Sequence, residues 1–275
     1  MLQALRHHWP EYLMEAAGLG FFMVSAGIFT TLLEYPGSPL HQFFASDLTR
    51  RALIGLAMGL TAFALIYSPW GQQSGAHYNP AVTLSFALLG KVRLWDTVFY
   101  ITAQILGGVA GVLLVSALLG EYFRQPPISF VVTVPGAGGV WAAFAGEAAI
   151  SFGLMWMVLW TGNTLSLSRY TGLLAGAMIC IYITFEAPLS GMSMNPARSL
   201  ASALPSGIWG SMWVYFTAPV IGMLLAVETS RFLRGRQNVL CAKLYHQNKR
   251  RCIFCGAGIQ GILVLLMLAT AAARA

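Results

Sequence analysis

Two asparagine–proline pairs stand where polar residues cost most. "SGAHYNPAVTLSFAL" runs from Ser74 to Leu88 and "SGMSMNPARSLASAL" from Ser190 to Leu204, both within a very apolar chain. Laid side by side, they agree at Ser, Gly, Asn, Pro, Ala, Leu, Ala and Leu. Proline suits the first turn of a helix, because its missing N–H would be unpaired there anyway. The residue before it is pushed to extended geometry, where asparagine can cap. Asn79-Pro80-Ala81 and Asn195-Pro196-Ala197 therefore each predict a capped short helix. Two such helices meeting N-terminus to N-terminus would bring two positive dipole ends together, with asparagine amides as donors. That point accepts a neutral hydrogen-bonding solute and opposes cations and protons. The chemistry is selective binding, with no bond made or broken.

A second constellation lies near the C-terminus. Cys241, His246, Cys252 and Cys255 are spaced C-x4-H-x5-C-x2-C. Three thiolates and one imidazole at this spacing can make a tetrahedral zinc site. The other reading is reduced thiols in a basic segment that touches anionic headgroups. No βαβ pattern surrounds the C-x2-C pair, and no nucleophile–base arrangement appears in the chain, so an enzyme is the weakest function class.

The elements that must carry these residues follow from composition. The chain has 275 residues, 57% hydrophobic and only 9% charged, against about 25% charged for a soluble domain. Apolar runs of about 20 residues predict helical spans and exclude an alternating-strand barrel. Six spans are predicted, at about 11–33, 49–67, 95–119, 138–160, 168–187 and 208–231. The first is too long for a signal-peptide core and is read as retained. The stretches of about 80–90 and 196–204 are too short to cross about 30 Å of hydrocarbon, and are half-helices or surface segments. A last apolar stretch, about 256–273, is marginal as a seventh span.

The net charge of +7 reads as membrane topology. No aromatic-interleaved basic stripe points to nucleic acid. With the N-terminus in the cytosol, eleven of the 16 Lys and Arg residues fall inside: Arg6, Lys91, Arg93, Arg169, Arg231, Arg234, Arg236, Lys243, Lys249, Arg250 and Arg251. Arg50, Arg51, Arg124 and Arg198 fall outside, a bias that supports this orientation. It places the Asn79 loop inside and the Asn195 loop outside, so the two motifs approach from opposite faces. Glu15 and Glu147 recur in the first and fourth spans, and Gly55/Gly59 and Gly172/Gly176 recur in the second and fifth. Together these predict an inverted 3+3 repeat: a first half over 1–125, a second over 126–235, and a basic Cys/His tail with the apolar segment over 236–275.

The paired motifs strongly resemble the two signature loops of the aquaporins, the major intrinsic proteins, over about residues 11–233. The resemblance implies an all-α membrane protein: a right-handed bundle of six spans and two re-entrant half-helices, one pore per protomer, assembled as a homotetramer. It implies a passive channel for water and small neutral solutes that needs no cofactor for transport. A bacterial-type member would sit in the bacterial cytoplasmic membrane. By the resemblance, Asn79 and Asn195 orient the permeating molecule at mid-pore and Arg198 is the filter arginine near the outer mouth. Glu15 and Glu147 match the family's buried glutamates, which accept hydrogen bonds from the re-entrant loops. His77 matches a histidine that lines the inner vestibule; the alternative is a loop histidine fixed by local hydrogen bonds. Glu186 has no assigned counterpart; it could pair with Arg198, face the vestibule, or be a satisfied polar group at the end of the fifth span.

Counting along the motifs puts the remaining filter positions at Met58, Ile183 and Met192, with Gly59 as the gap-free alternative to Met58. This ring departs from the aromatic–histidine–small pattern of water-selective members. Ser199 and Ala203 lean back toward water channels. Because the ring departs from the water-selective pattern, a glycerol or small-polyol facilitator is the nearest alternative. A secondary transporter, which also uses inverted repeats and broken helices, is the alternative of a different class.

Overall fold

The computed structural model describes residues 1–234 and 239–255. Among the described residues, six helices are long and apolar enough to cross a membrane: Leu2–Glu34, Asp47–Tyr67, Leu94–Leu119, Gly139–Gly162, Ser168–Phe185 and Met212–Arg234. They are called spans one to six. Two short helices, Pro80–Leu88 and Pro196–Ser206, follow the Asn-Pro pairs and are called the first and second half-helices. No strand occurs among the described residues. The apolar stretch at about 256–273 lies outside them.

Span one begins at Leu2, well before the apolar run that predicted it. Its 33 residues extend about 50 Å, beyond the roughly 30 Å of hydrocarbon. Hydrophobicity marks the part of a helix that meets lipid, and the polar turn carrying Arg6, His7 and His8 continues the same helix outside it.

Span one packs chiefly on span three, span two on span five, and span four on span six. The four glycines of spans two and five lie at the second of these contacts. A Cβ on Gly59 would sit 2.5 Å from the Gly176 carbonyl oxygen, and one on Gly176 2.5 Å from that of Gly59. Small residues let backbones approach this closely, where lipid supplies no hydrophobic drive between helices. Both half-helices pack against spans three and six, so each touches both halves of the chain. Leu56, Leu106, Trp141 and Phe232 are exposed, a surface suited to hydrocarbon.

Candidate pore

Each loop before a half-helix threads an unusual backbone path. Gly75 and Gly191 take φ of 101° and 81° after short helical turns. Ala76, Tyr78, Met192 and Met194 follow at φ of 57°, 47°, 47° and 53°. Left-handed geometry in a non-glycine residue costs on the order of 1–2 kcal/mol, so four such residues require support.

Two buried carboxylates provide it. Glu15 Oε1 accepts from Ser74 Oγ at 2.7 Å and the His77 amide at 3.1 Å, and its Oε2 accepts from the Tyr78 amide at 2.6 Å and Gln104 Nε2 at 2.8 Å. Glu147 Oε1 accepts from Ser190 Oγ at 2.7 Å and the Ser193 amide at 2.6 Å, and its Oε2 from the Met194 amide at 2.7 Å. Tyr100 and Tyr215 complete the pattern, donating to the carbonyls of Ser74 at 2.6 Å and Ser190 at 2.5 Å. Sequence reasoning missed Tyr100, Gln104 and the two serines as supports. The serines stood in the quoted motifs, and Gln104 was a costly polar residue in an apolar span.

At the loop tips the asparagines do two things. Asn79 Oδ1 accepts from the Ala81 amide at 2.8 Å, and Asn195 Oδ1 from the amides of Ala197 and Arg198 at 3.1 and 3.2 Å. Both asparagines are extended, as capping requires. Their amide nitrogens cross over. Asn79 Nδ2 donates to the Met194 carbonyl at 2.7 Å, and Asn195 Nδ2 to the Tyr78 carbonyl at 2.7 Å. An amide nitrogen carries two hydrogens, so each keeps one beyond this bond.

A cavity of about 330 Å³ runs past both tips. Thr30, Glu34 and Arg51 line it toward one end, and Ala76, His77 and Leu244 toward the other. Between them lie Asn79, Asn195, Met58, Ile183, Met192 and Arg198. Met58 faces this space, whereas Gly59 is spent on the crossing with span five. Arg198 Nη1 donates to the Val131 carbonyl at 2.7 Å. Glu186 pairs with no arginine, and both its carboxylate oxygens are buried without a hydrogen-bond partner. It is therefore not the partner of Arg198.

His77 lines the cavity but is covered. Its Nε2 lies 2.7 Å from the Ala242 carbonyl oxygen and its Nδ1 3.1 Å from Thr83 Oγ1. The ring is stacked between Phe86 and Phe254, with centroids 5.2 and 5.5 Å away.

The covering residues belong to the Cys/His tail. The ligand atoms of Cys241, His246, Cys252 and Cys255 all lie within 4.8 Å of one another, a group that could hold a metal ion. All four cysteines of the chain are free. The adjoining thiols of Cys252 and Cys255, together with burial, push the Cys241 thiol well above the ordinary range, and burial pulls the Lys243 ammonium down.

Comparison with known proteins gives this arrangement a family. The Major intrinsic protein family matches residues 5–228, a region that ends before the tail. Aquaporin NIP2-3 of Zea mays is 32% identical over 228 residues, which cover 82% of this chain and 73% of its own. Aquaporin NIP2-1 of Oryza sativa subsp. japonica is 32% identical over 235 residues, 84% of this chain and 74% of its own. Among solved structures, the aquaglyceroporin from Plasmodium falciparum superposes with a TM-score of 0.68 at 22% identity, covering 82% of this chain and 96% of that one, a likeness of fold. Six apolar membrane-length helices, two inward half-helices and a matched region of this extent make the chain an integral membrane protein that belongs to the major intrinsic protein family.

Proposed function

We propose that the protein is a passive channel for water that also admits small uncharged solutes. The observation that carries this reading is the continuous cavity past two cross-bonded asparagine caps. Each spare amide hydrogen of Asn79 and Asn195 can donate to a solute oxygen where both half-helix N-termini converge. Aquaporin-type pores exclude protons and cations by an arginine or by such dipole ends. Arg198, with Pro80, Ala81, Pro196 and Ala197 building the two first turns, fits that role. Met58, Ile183, Met192 and Arg198 form the proposed selectivity filter, Glu15 and Glu147 support the loops, and His77 lines the inner end.

The apolar filter favours the glycerol or small-polyol alternative as a second reading, since methionines adapt to a carbon backbone. A coupled transporter needs ionisable groups at the midplane. Among the described residues the charged side chains lining the cavity are Glu34, Arg51 and Arg198, with His77 toward one end, and the two caps at its centre are amides, which supports a channel.

The N-terminus is proposed to lie in the cytosol, with 1–125 and 126–235 as inverted repeats, 236–275 as tail, and four protomers in the assembly. The relatives reported above are plant proteins and lend nothing to a bacterial membrane. A structural zinc in the tail is proposed on the donor set. Water and glycerol permeability of proteoliposomes, measured side by side, test the function. Water flux above empty liposomes is expected from protein freed of metal with a chelator, and flux equal to empty liposomes for both solutes in that metal-free state overturns it.

A further inference from the structure

Residues 239–255 contain no helix or strand, yet they fold tightly against one end of the bundle. The Leu240 amide donates to Asn163 Oδ1 at 2.7 Å, the Leu244 amide to the Gly75 carbonyl at 3.1 Å, and Gln247 Nε2 to the Leu165 carbonyl at 3.0 Å. Arg251 donates to the His7 carbonyl at 2.6 Å and lies 3.8 Å from Glu11. Tyr245 packs on Tyr67, and Phe254 on His77 and Tyr100. The segment thus touches spans one, two and three, the loop after span four and the Asn79 loop. Leu244, only 7% exposed, forms part of the cavity wall beside His77.

A short segment without regular structure needs a cross-link to hold one shape. Here the chain converges on four ligand atoms. Cys241 Sγ lies 3.4 Å from Cys252 Sγ, Cys252 Sγ 3.3 Å from Cys255 Sγ, and Cys255 Sγ 3.8 Å from His246 Nε2. A tetrahedral site with Zn–S bonds of about 2.3 Å sets its sulfurs roughly 3.8 Å apart, so small shifts admit the ion. His246 turns Nε2 toward the thiols, which makes that nitrogen its ligand atom. Charge also closes. Three thiolates and a divalent cation leave one negative charge, and Lys243, 4% exposed, donates to the carbonyls of Arg250 and Arg251 beside it. Its ammonium supplies the balance.

We propose that Cys241, His246, Cys252 and Cys255 bind a zinc-class divalent cation that sets residues 239–255 as a stopper beneath the lumen, so that metal occupancy closes the Leu244 end of the pore. Binding releases the thiol protons to solvent, and loss of the ion frees the segment to leave. The closure rests on the channel reading above, while the metal site does not.

The test uses the full chain in proteoliposomes. Zinc content is measured first, then water permeability by stopped-flow light scattering with and without a zinc chelator, for wild type and Cys252→Ser/Cys255→Ser. One zinc per chain is expected. Chelation should raise permeability several-fold, added Zn²⁺ should restore it, and the double variant should match the chelated protein and ignore Zn²⁺. Leu244→Ala, which keeps every ligand, should retain zinc yet leak. Absence of retained zinc overturns the site, and zinc retained with equal, non-zero flux in all forms overturns the closure. Flux at the empty-liposome level in every form, with zinc retained, overturns the channel reading and the closure together and supports the site.

Discussion

Glu147→Ala isolates how the second loop is held. The carboxylate accepts from Ser190 Oγ and from the amides of Ser193 and Met194, and it is fully buried. The serine hydroxyl can turn to another acceptor; the two amides cannot. A buried donor left unpaired costs about 1–3 kcal/mol, so the two together cost about 2–6 kcal/mol. The left-handed residues Met192 and Met194 then have less to hold them and should relax. For a chain of this size each kcal/mol moves the melting midpoint by roughly 2–4 °C, giving a fall of roughly 4–24 °C. Glu147→Gln keeps one acceptor oxygen and turns an N–H toward one loop amide, so its fall should be smaller. Glu15→Ala, which also takes from Gln104 Nε2 one of its two acceptors, should be at least as damaging as Glu147→Ala. The assay is thermal unfolding of purified protein in detergent micelles, followed by solute flux for variants that survive. Glu147→Ala melting together with wild type would refute the view that this carboxylate fixes the loop.

Other perturbations are simpler. Gly176→Ala places a methyl 2.5 Å from the Gly59 carbonyl oxygen. It should wedge spans two and five apart at a cost of about 1–3 kcal/mol, read as a lower midpoint in the same unfolding assay. Tyr215→Phe removes the bond to the Ser190 carbonyl and should cost about 1 kcal/mol while leaving the lumen intact, so melting should shift and water flux should not. Arg198→Ala removes a positive charge from the cavity wall. Proton leak, followed with a pH-sensitive dye in liposomes, should rise, and unchanged leak counts against Arg198 as the excluding charge. Met192→Trp should obstruct the lumen, and unaltered water flux would move the filter away from Met192.

The spans and half-helices were legible because each follows from a local rule: apolar length for the spans, Asn-Pro capping for the half-helices. The close glycine crossing was legible for the same reason, since Gly55, Gly59, Gly172 and Gly176 repeat at helical spacing. The supports around the loops were not. Tyr100 and Gln104 look like isolated polar residues in span three, and their acceptors, Ser74 and Glu15, are 26 and 89 residues away. Propensity also misleads at Ala76, Tyr78, Met192 and Met194. Left-handed backbone ordinarily calls for glycine or asparagine, and here carboxylate bonds made elsewhere in the fold impose it. The filter count left Met58 and Gly59 open, because which of two adjacent helical residues faces a lumen depends on how the helix packs. The tail's spacing displayed four ligands, but its seat against Gly75 and His77 joins segments 165 residues apart, which no local pattern encodes.

The crossed asparagine bonds also constrain the order of assembly. Asn79 finds its carbonyl acceptor at Met194, 115 residues later. At a synthesis rate of about 5–20 residues per second, the first loop waits roughly 6–23 s for its counterpart to emerge. During that interval the nascent first half holds a polar amide and an exposed carbonyl near apolar surroundings with no mate. Whatever shelters it then, water, lipid headgroups or an insertion factor, must give way when the second half arrives. A truncated half should therefore remain a nascent intermediate, and two halves supplied as separate polypeptides should complement each other.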